Sequence, residues 1–352
     1  MTAAALVALV ALAGCGSSKQ GSVPSSTAPA TASASASAAT SPLALAPAST
    51  QAAGPAGVRD VSFVSARQGW ALGRGELLTT TDGGASWTRL PAPPAGATHI
   101  RFASPRVGYA WTGTGPLWIT TNGAASWQPG GLTGVISLET AAGWVWSLAG
   151  PQPYPDIWRA PAGSTAWTKL GLTPDRTATL TVHGDAAYVV GQQGAGPIAP
   201  SLDVFTGTQP VRHESLPCAR GQTYVPWVAL GTSTDGVVYL VCDTMNDQSG
   251  AQTQTQLAYE SVTGGRSWSA SNPPPPQPPQ GVTAVAGERF AWNSGPDLYT
   301  LTGHRWRVSL TDPGHGFSLV GFETNTQGVA LSTNGYLWIT RNGGASWSRV
   351  TA

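Results

Sequence analysis

Seven short aromatic or β-branched runs at roughly 35 to 52 residue intervals, one glycine-rich turn repeated in a fixed frame, and no sustained helical period predict the fold class. It is all-β: a seven-bladed β-propeller of four-stranded antiparallel blades, after a disordered N-terminal tether. A chain of 352 residues exceeds one typical domain but suits a single large all-β ring. Its 44 Gly and 29 Pro read as turns between many short strands, and 15 Trp exclude disorder throughout. Eighteen basic residues nearly balance 17 acidic ones. A net charge of +1 excludes binding driven by phosphate neutralisation, so no nucleic-acid partner is expected.

In chain order, residues 3–14 form the apolar run AAALVALVALAG. A membrane span needs about 20 such residues and a signal-peptide core about 7 to 15, so the run fits a signal peptide over 1–14. It ends in Leu12-Ala13-Gly14-Cys15, which resembles the bacterial lipobox, where cleavage precedes a cysteine that is then acylated. No Lys or Arg precedes the run; a start codon further upstream would supply a charged leader. The resemblance implies lipidation at Cys15 and anchoring to the lipid bilayer of a bacterial cell membrane, on the extracytoplasmic side. Residues 15–57 are rich in Ala, Ser, Thr and Pro and too poor in apolar side chains to offset chain entropy. They form a tether with a typical reach of roughly 35 Å. In an exported chain Cys218 and Cys242 are expected to form a disulfide, or else to remain as two buried thiols.

The propeller occupies residues 58–352. Thr80-Thr81-Asp82-Gly83-Gly84-Ala85-Ser86-Trp87 recurs as Thr120-Thr121-Asn122-Gly123-Ala124-Ala125-Ser126-Trp127 and as Thr340-Arg341-Asn342-Gly343-Gly344-Ala345-Ser346-Trp347. A fourth copy, Ser261-Val262-Thr263-Gly264-Gly265-Arg266-Ser267-Trp268, has no acid or amide at its third position. Upstream of the boxes lie the strand-like runs Gly69-Trp70-Ala71-Leu72, Gly108-Tyr109-Ala110-Trp111, Gly143-Trp144-Val145-Trp146, Ala187-Tyr188-Val189-Val190, Val238-Tyr239-Leu240-Val241, Phe290-Ala291-Trp292 and Gly328-Val329-Ala330-Leu331. The first unit predicts strands near 61–64, 70–73, 77–80 and 86–90. Each box is expected to be the hairpin between third and fourth strands. Asp82, Asn122 and Asn342 would accept backbone N–H bonds within the turn, glycines would supply its backbone angles, and Trp87, Trp127, Trp268 and Trp347 would tuck beneath it. With Thr263 in place of an acid, the fourth turn should be looser. No unit is permuted, so ring closure should rest on packing between the first and last blades.

These boxes resemble the Asp-box, or bacterial neuraminidase repeat, Ser/Thr-x-Asp-x-Gly-x-x-Trp. Units 61–90, 98–128 and 316–350 also resemble photosystem II stability and assembly factor-like propellers, which implies a binding or assembly role without an active site. Sialidases share the boxes, and the resemblance implies three arginines holding a carboxylate, a Tyr–Glu pair and an Asp acid. Bidentate pairing makes those arginines obligatory, yet nothing around Arg74, Arg101, Arg212 or Arg289 marks a triad. Asp60, Asp82, Asp185 and Asp235 read as turn residues. The five histidines never pair at ligand spacing, and no metal or other cofactor is expected.

Ligands are expected on the face bearing the second-to-third-strand loops, which selects Arg74, Glu76, Tyr154, Asp156, Asp243 and Asp247 as contact residues. The run 273–279 is read as a stiff polyproline connector. The functional expectation is a monomeric, membrane-anchored, non-catalytic scaffold for an envelope protein or glycan. The alternatives are a sialidase-like glycoside hydrolase acting on an acidic or neutral glycan, and a purely structural envelope protein.

Overall fold

The computed structural model describes residues 57–350 except 114, 152–154, 173–176, 193–200, 208–209, 220–223, 233–235, 247–252, 271–282, 287–288 and 303–304. Cys15, Tyr154, Asp247, the tether and the proline run therefore lie outside the described residues.

Runs such as Gly-Trp-Ala-Leu carry no polar alternation because both faces of the strand are covered. Gly69–Leu72 and Gly108–Trp111 are buried at every position, whereas the outermost strands Thr88–Arg89 and Ser348–Arg349 are exposed at every position. Apolar character falls from the centre of each sheet to its outer edge, as it must when sheets stack face to face around an axis.

The described strands form seven four-stranded antiparallel sheets, each in sequential order. The first holds β1 (Asp60–Phe63), β2 (Gly69–Leu72), β3 (Leu77–Thr80) and β4 (Thr88–Arg89); the second holds β5 (His99–Phe102), β6 (Gly108–Trp111), β7 (Pro116–Thr120) and β8 (Gln128–Thr133). The third runs β9 (Val135–Ala141), β10 (Trp144–Ala149), β11 (Asp156–Pro161), β12 (Thr168–Leu172), and the fourth β13 (Thr177–His183), β14 (Ala186–Gln192), β15 (Ser201–Thr206), β16 (Arg212–Ser215). A short 3-10 turn, Pro217–Ala219, leads into the fifth: β17 (Tyr224–Thr232), β18 (Val238–Asn246), β19 (Thr253–Ser261), β20 (Ser269–Ala270). The sixth holds β21 (Thr283–Ala286), β22 (Arg289–Ser294), β23 (Asp297–Thr302), β24 (Arg305–Thr311), and the seventh β25 (Phe317–Phe322), β26 (Gly328–Ser332), β27 (Leu337–Thr340), β28 (Ser348–Arg349).

First strands of successive sheets pack side by side, β1 on β5 and so on to β21 on β25, and β26 returns to β1. The fold is thus a propeller ring with its first strands around the axis. Among the described strands no sheet combines strands of the first and last units. Closure rests on Val58, Val61, Phe63 and Trp87 against Val329, Leu331, Leu337 and Ile339, on Arg341 Nη2 donating to the Gly83 carbonyl at 2.8 Å, and on Val58 N–H donating to the Gly335 carbonyl at 3.2 Å.

A three-residue device recurs in sheets one, two and seven. Phe63, Phe102 and Phe322 end their first strands opposite Gly69, Gly108 and Gly328. Each ring lies over its glycine and meets the sheet's box indole, with centroids 6.4, 6.4 and 6.1 Å apart. A Cβ on Gly108 would fall 2.4 Å from the Phe102 ring, which cannot swing away because it stacks on Trp70 at 3.7 Å. Gly108→Ala should therefore lower the free energy of unfolding by about 1–3 kcal/mol, read as a shift in the urea midpoint.

The repeated turns close through side chains. Thr80 Oγ1 accepts the Gly84 N–H at 2.8 Å and Asp82 Oδ1 accepts the Ser86 N–H at 2.9 Å; Thr120 with Asn122, and Thr340 with Asn342, repeat both bonds. The fourth turn is not looser. Ser261 Oγ accepts the Gly265 N–H at 2.8 Å, and the Thr263 hydroxyl stands in for the carboxylate, accepting the Ser267 N–H at 2.9 Å. Both central residues need left-handed backbone, with φ of 73° and 88° at Gly83 and Gly84 and 64° and 87° at Gly264 and Gly265; in the second turn Ala124 adopts 70°. Trp87 is fully buried, while Trp127, Trp268 and Trp347 are half-buried, each against the preceding sheet; Trp347 Nε1 donates to Ser309 Oγ at 3.2 Å.

Bonds from the Ser86 hydroxyl and N–H lower the Asp82 carboxyl from 3.8 to about 2. Its stabilising effect is complete above the unfolded value and is lost as pH falls from about 4 through 2. Asp82→Ala should cost about 1 kcal/mol at neutral pH. Asp82→Asn, which copies Asn122 and Asn342, should be near neutral and should remove that acid-induced loss; urea melts at both pH values check it.

Candidate functional site

The first strand of each sheet is an inner edge whose backbone must be satisfied beside the axis. Side chains from the neighbouring sheet do this. Asp60 Oδ2 accepts the Ile100 N–H at 2.8 Å and Ser62 Oγ the Phe102 N–H at 2.9 Å; Thr232 Oγ1 donates to the Val182 carbonyl at 2.9 Å. Asp60 is thus a buried strand residue bridging two sheets, not a turn residue.

Between these strands lies a cavity of about 640 Å³. It is walled by the later halves of β1, β5, β9, β13, β17 and β25 and by the hairpins that follow several of them, including Ala141–Trp144 and Phe322–Gln327. The box turns lie at the same end, because Gly83, Gly123 and Gly343 donate to carbonyls of their own first-to-second hairpins at 2.7–2.8 Å.

Arg101 of β5 and Glu139 of β9 pair across the cavity wall at 2.9 Å. Burial raises the Glu139 carboxyl, and Arg101 opposes that rise. Burial would lower the Arg101 guanidinium, but Glu139, Asp60 and Glu323 overcome it and hold the group raised. Glu323, just past β25, is exposed at the pocket rim; desolvation by the neighbouring wall raises its carboxyl from 4.5 to about 7, while Arg101 pulls it down and Glu139 pushes it up. No described residue forms an ion pair with Glu323. Gln327 also lines the cavity, is 3% exposed, and its Nε2 is buried without a hydrogen-bond partner. Trp144 completes the wall, held by the Arg159 guanidinium 3.6 Å from its ring centroid.

Of the contact residues expected from sequence, the four that are described are not brought to this cavity. Arg74 and Glu76 sit in the second-to-third-strand loop at the opposite end, Arg74 exposed and Glu76 paired with Arg89 at 2.8 Å. Asp156 opens β11 at that end and pairs with Lys169 at 2.8 Å; Asp243 lies on β18 opposite Trp227 and Gln256. Sequence reasoning noted Arg101 without choosing it and missed Glu139, Glu323 and Gln327. Their signal was positional: each lies on a first strand or its hairpin. Cys218 and Cys242 are bonded, with Cα atoms 5.6 Å apart. Among the described residues no group of three or more His, Cys, Asp or Glu could hold a metal ion, and no helix is long and apolar enough to cross a membrane.

Fold and site together define an all-β propeller with a charged pocket at one end of its axis. Neither protein-family models nor curated proteins match the chain. Solved structures do. One described as YCF48 bound to D1 peptide is 17% identical over 82% of this chain and 95% of that one, with a TM-score of 0.58. YCF48 from Cyanidioschyzon merolae is 15% identical over 72% and 85%, with a TM-score of 0.50. The tricorn protease is 8% identical over 86% of this chain and 36% of that one, with a TM-score of 0.57. At such identities the likeness is one of fold.

Proposed function

We propose that the protein is an extracytoplasmic lipoprotein, tethered to a bacterial membrane through acylated Cys15, whose propeller binds or assembles a partner envelope protein without catalysing a reaction. The observation that carries the binding reading is the axial pocket, where a carboxylate without an ion pair and a buried carboxamide nitrogen without an acceptor await a ligand. A pocket of this size suits a short segment of chain, within the usual range of about 300–1,000 Å³. A propeller of the same fold is described with a bound peptide, which supports a peptide ligand over a glycan.

The arginines weigh against the sialidase-like alternative. Arg101 pairs with Glu139, Arg212 with Glu214, and Arg74 lies at the far end, so these three do not converge on one carboxylate. Mass spectrometry of the mature N-terminus tests the anchor: a diacylated or triacylated Cys15 supports it, and an unmodified Cys15 in membrane-free protein refutes it. Crosslinking in native membranes followed by affinity capture tests the scaffold. One recurrent protein partner is expected, and recovery of glycan alone would favour the alternative.

A further inference from the structure

We propose that the axial pocket is a receptor for a basic side chain, the ammonium of a lysine or the guanidinium of an arginine, presented by an extended segment of the partner protein. This rests on the scaffold reading and names the chemistry that the scaffold recognises.

Arg101 and Glu139 neutralise one another at 2.9 Å. That leaves Glu323 without an ion-pair partner among the described residues, with Asp60 adding negative charge behind the pair. The charged groups that act on Glu323 are Arg101 from β5 and Glu139 from β9; the lining stretches of β13 and β17 contribute threonine and apolar side chains. An unpaired carboxylate at the exposed rim of a pocket favours a cation with directional donors, because a charge-assisted hydrogen bond is about twice as strong as a neutral one. Among the described residues no three carboxylate, imidazole or thiolate groups converge as a bare divalent ion would favour.

Hydrogen bonding narrows the choice further. Gln327 Nε2 and Arg101 Nε are buried donors with no acceptor, and a ligand that brings acceptors would satisfy them. An isolated ammonium ion supplies no acceptor, whereas an extended peptide supplies carbonyl oxygens along its backbone. A basic residue within a peptide therefore answers both needs, its head group at Glu323 and its backbone at Gln327.

The test uses the full-length protein, immobilised, and a positional-scanning library of blocked octapeptides read at about pH 8 and about pH 6. Selection of Lys or Arg at one position is expected, with affinity falling about tenfold at the lower pH as Glu323 takes up a proton. Glu323→Gln has no ion pair to lose and should keep the fold. It should bind the selected peptides about tenfold more weakly and without pH dependence. Selection of neutral or acidic peptides, or wild-type binding by Glu323→Gln, overturns the proposal while leaving the scaffold reading intact. Retention of no peptide at either pH overturns both.

Discussion

Trp87→Ala is expected to lower the free energy of unfolding by about 3–5 kcal/mol, the range for deleting a large buried aromatic. The indole is 2% exposed. Its Nε1 makes no hydrogen bond, so the loss is one of packing. Trp87 belongs to the cluster that joins the first sheet to Val329, Leu331, Leu337 and Ile339 of the last. A Cβ on Gly84 would stand 2.4 Å from Ile339 and 3.5 Å from the same indole, so turn, indole and seventh sheet are layered without slack. Removing the indole opens a void at the seam between the first and seventh sheets, which no short connection of the chain joins. Trp127→Ala and Trp347→Ala remove half-buried rings between sheets that the chain itself connects, and should cost visibly less. Urea unfolding of the three variants checks the ranking; equal losses would contradict a special role for closure.

Reduction of the Cys218–Cys242 bond is the second large effect. The bridge ties the 3-10 turn after the fourth sheet to the middle of β18, and both cysteines are buried in the cluster between the fourth and fifth sheets. It closes a loop of 24 residues, for which chain entropy gives about 3 kcal/mol. That loop includes the connection into β17, where the sequence carries no glycine box to fix a turn. The double variant Cys218→Ala, Cys242→Ala should match the reduced protein. Midpoints compared with and without reductant measure the effect, and an unchanged midpoint would contradict it.

Much of the ring is legible in the sequence because its rules are local. A box hairpin needs a hydroxyl, an acceptor two residues on, two left-handed positions and an indole, all within eight residues, so Thr80 to Trp87 announces itself. Thr263 shows the limit of reading by residue type: a hydroxyl accepts the same N–H as a carboxylate, and the turn is kept. Second strands are legible because burial on both faces forces runs such as Gly108–Trp111. First strands are less so: in the first unit 61–64 falls on β1, but elsewhere they carry little signal. His99–Phe102 is four residues long with no distinctive pattern, and whether Arg101 points to the axis or into a sheet interface depends on a register set by contacts far away in sequence. Loop length points to the end with long loops, whereas Arg101, Glu139, Glu323 and Gln327 lie on first strands or the short hairpins that follow them. Glu139 and Glu323 are nearly 200 residues apart, and only closure of the ring sets them around one pocket.

The claim that the partner docks at the hairpin end of the axis can be tested in place. A photo-crosslinking residue at Ala142, exposed on the β9–β10 hairpin at the pocket rim, is compared in native membranes with the same residue at Arg74, exposed at the opposite end. The account predicts a discrete protein adduct from position 142 and none from position 74. Adducts from position 74 alone would contradict it.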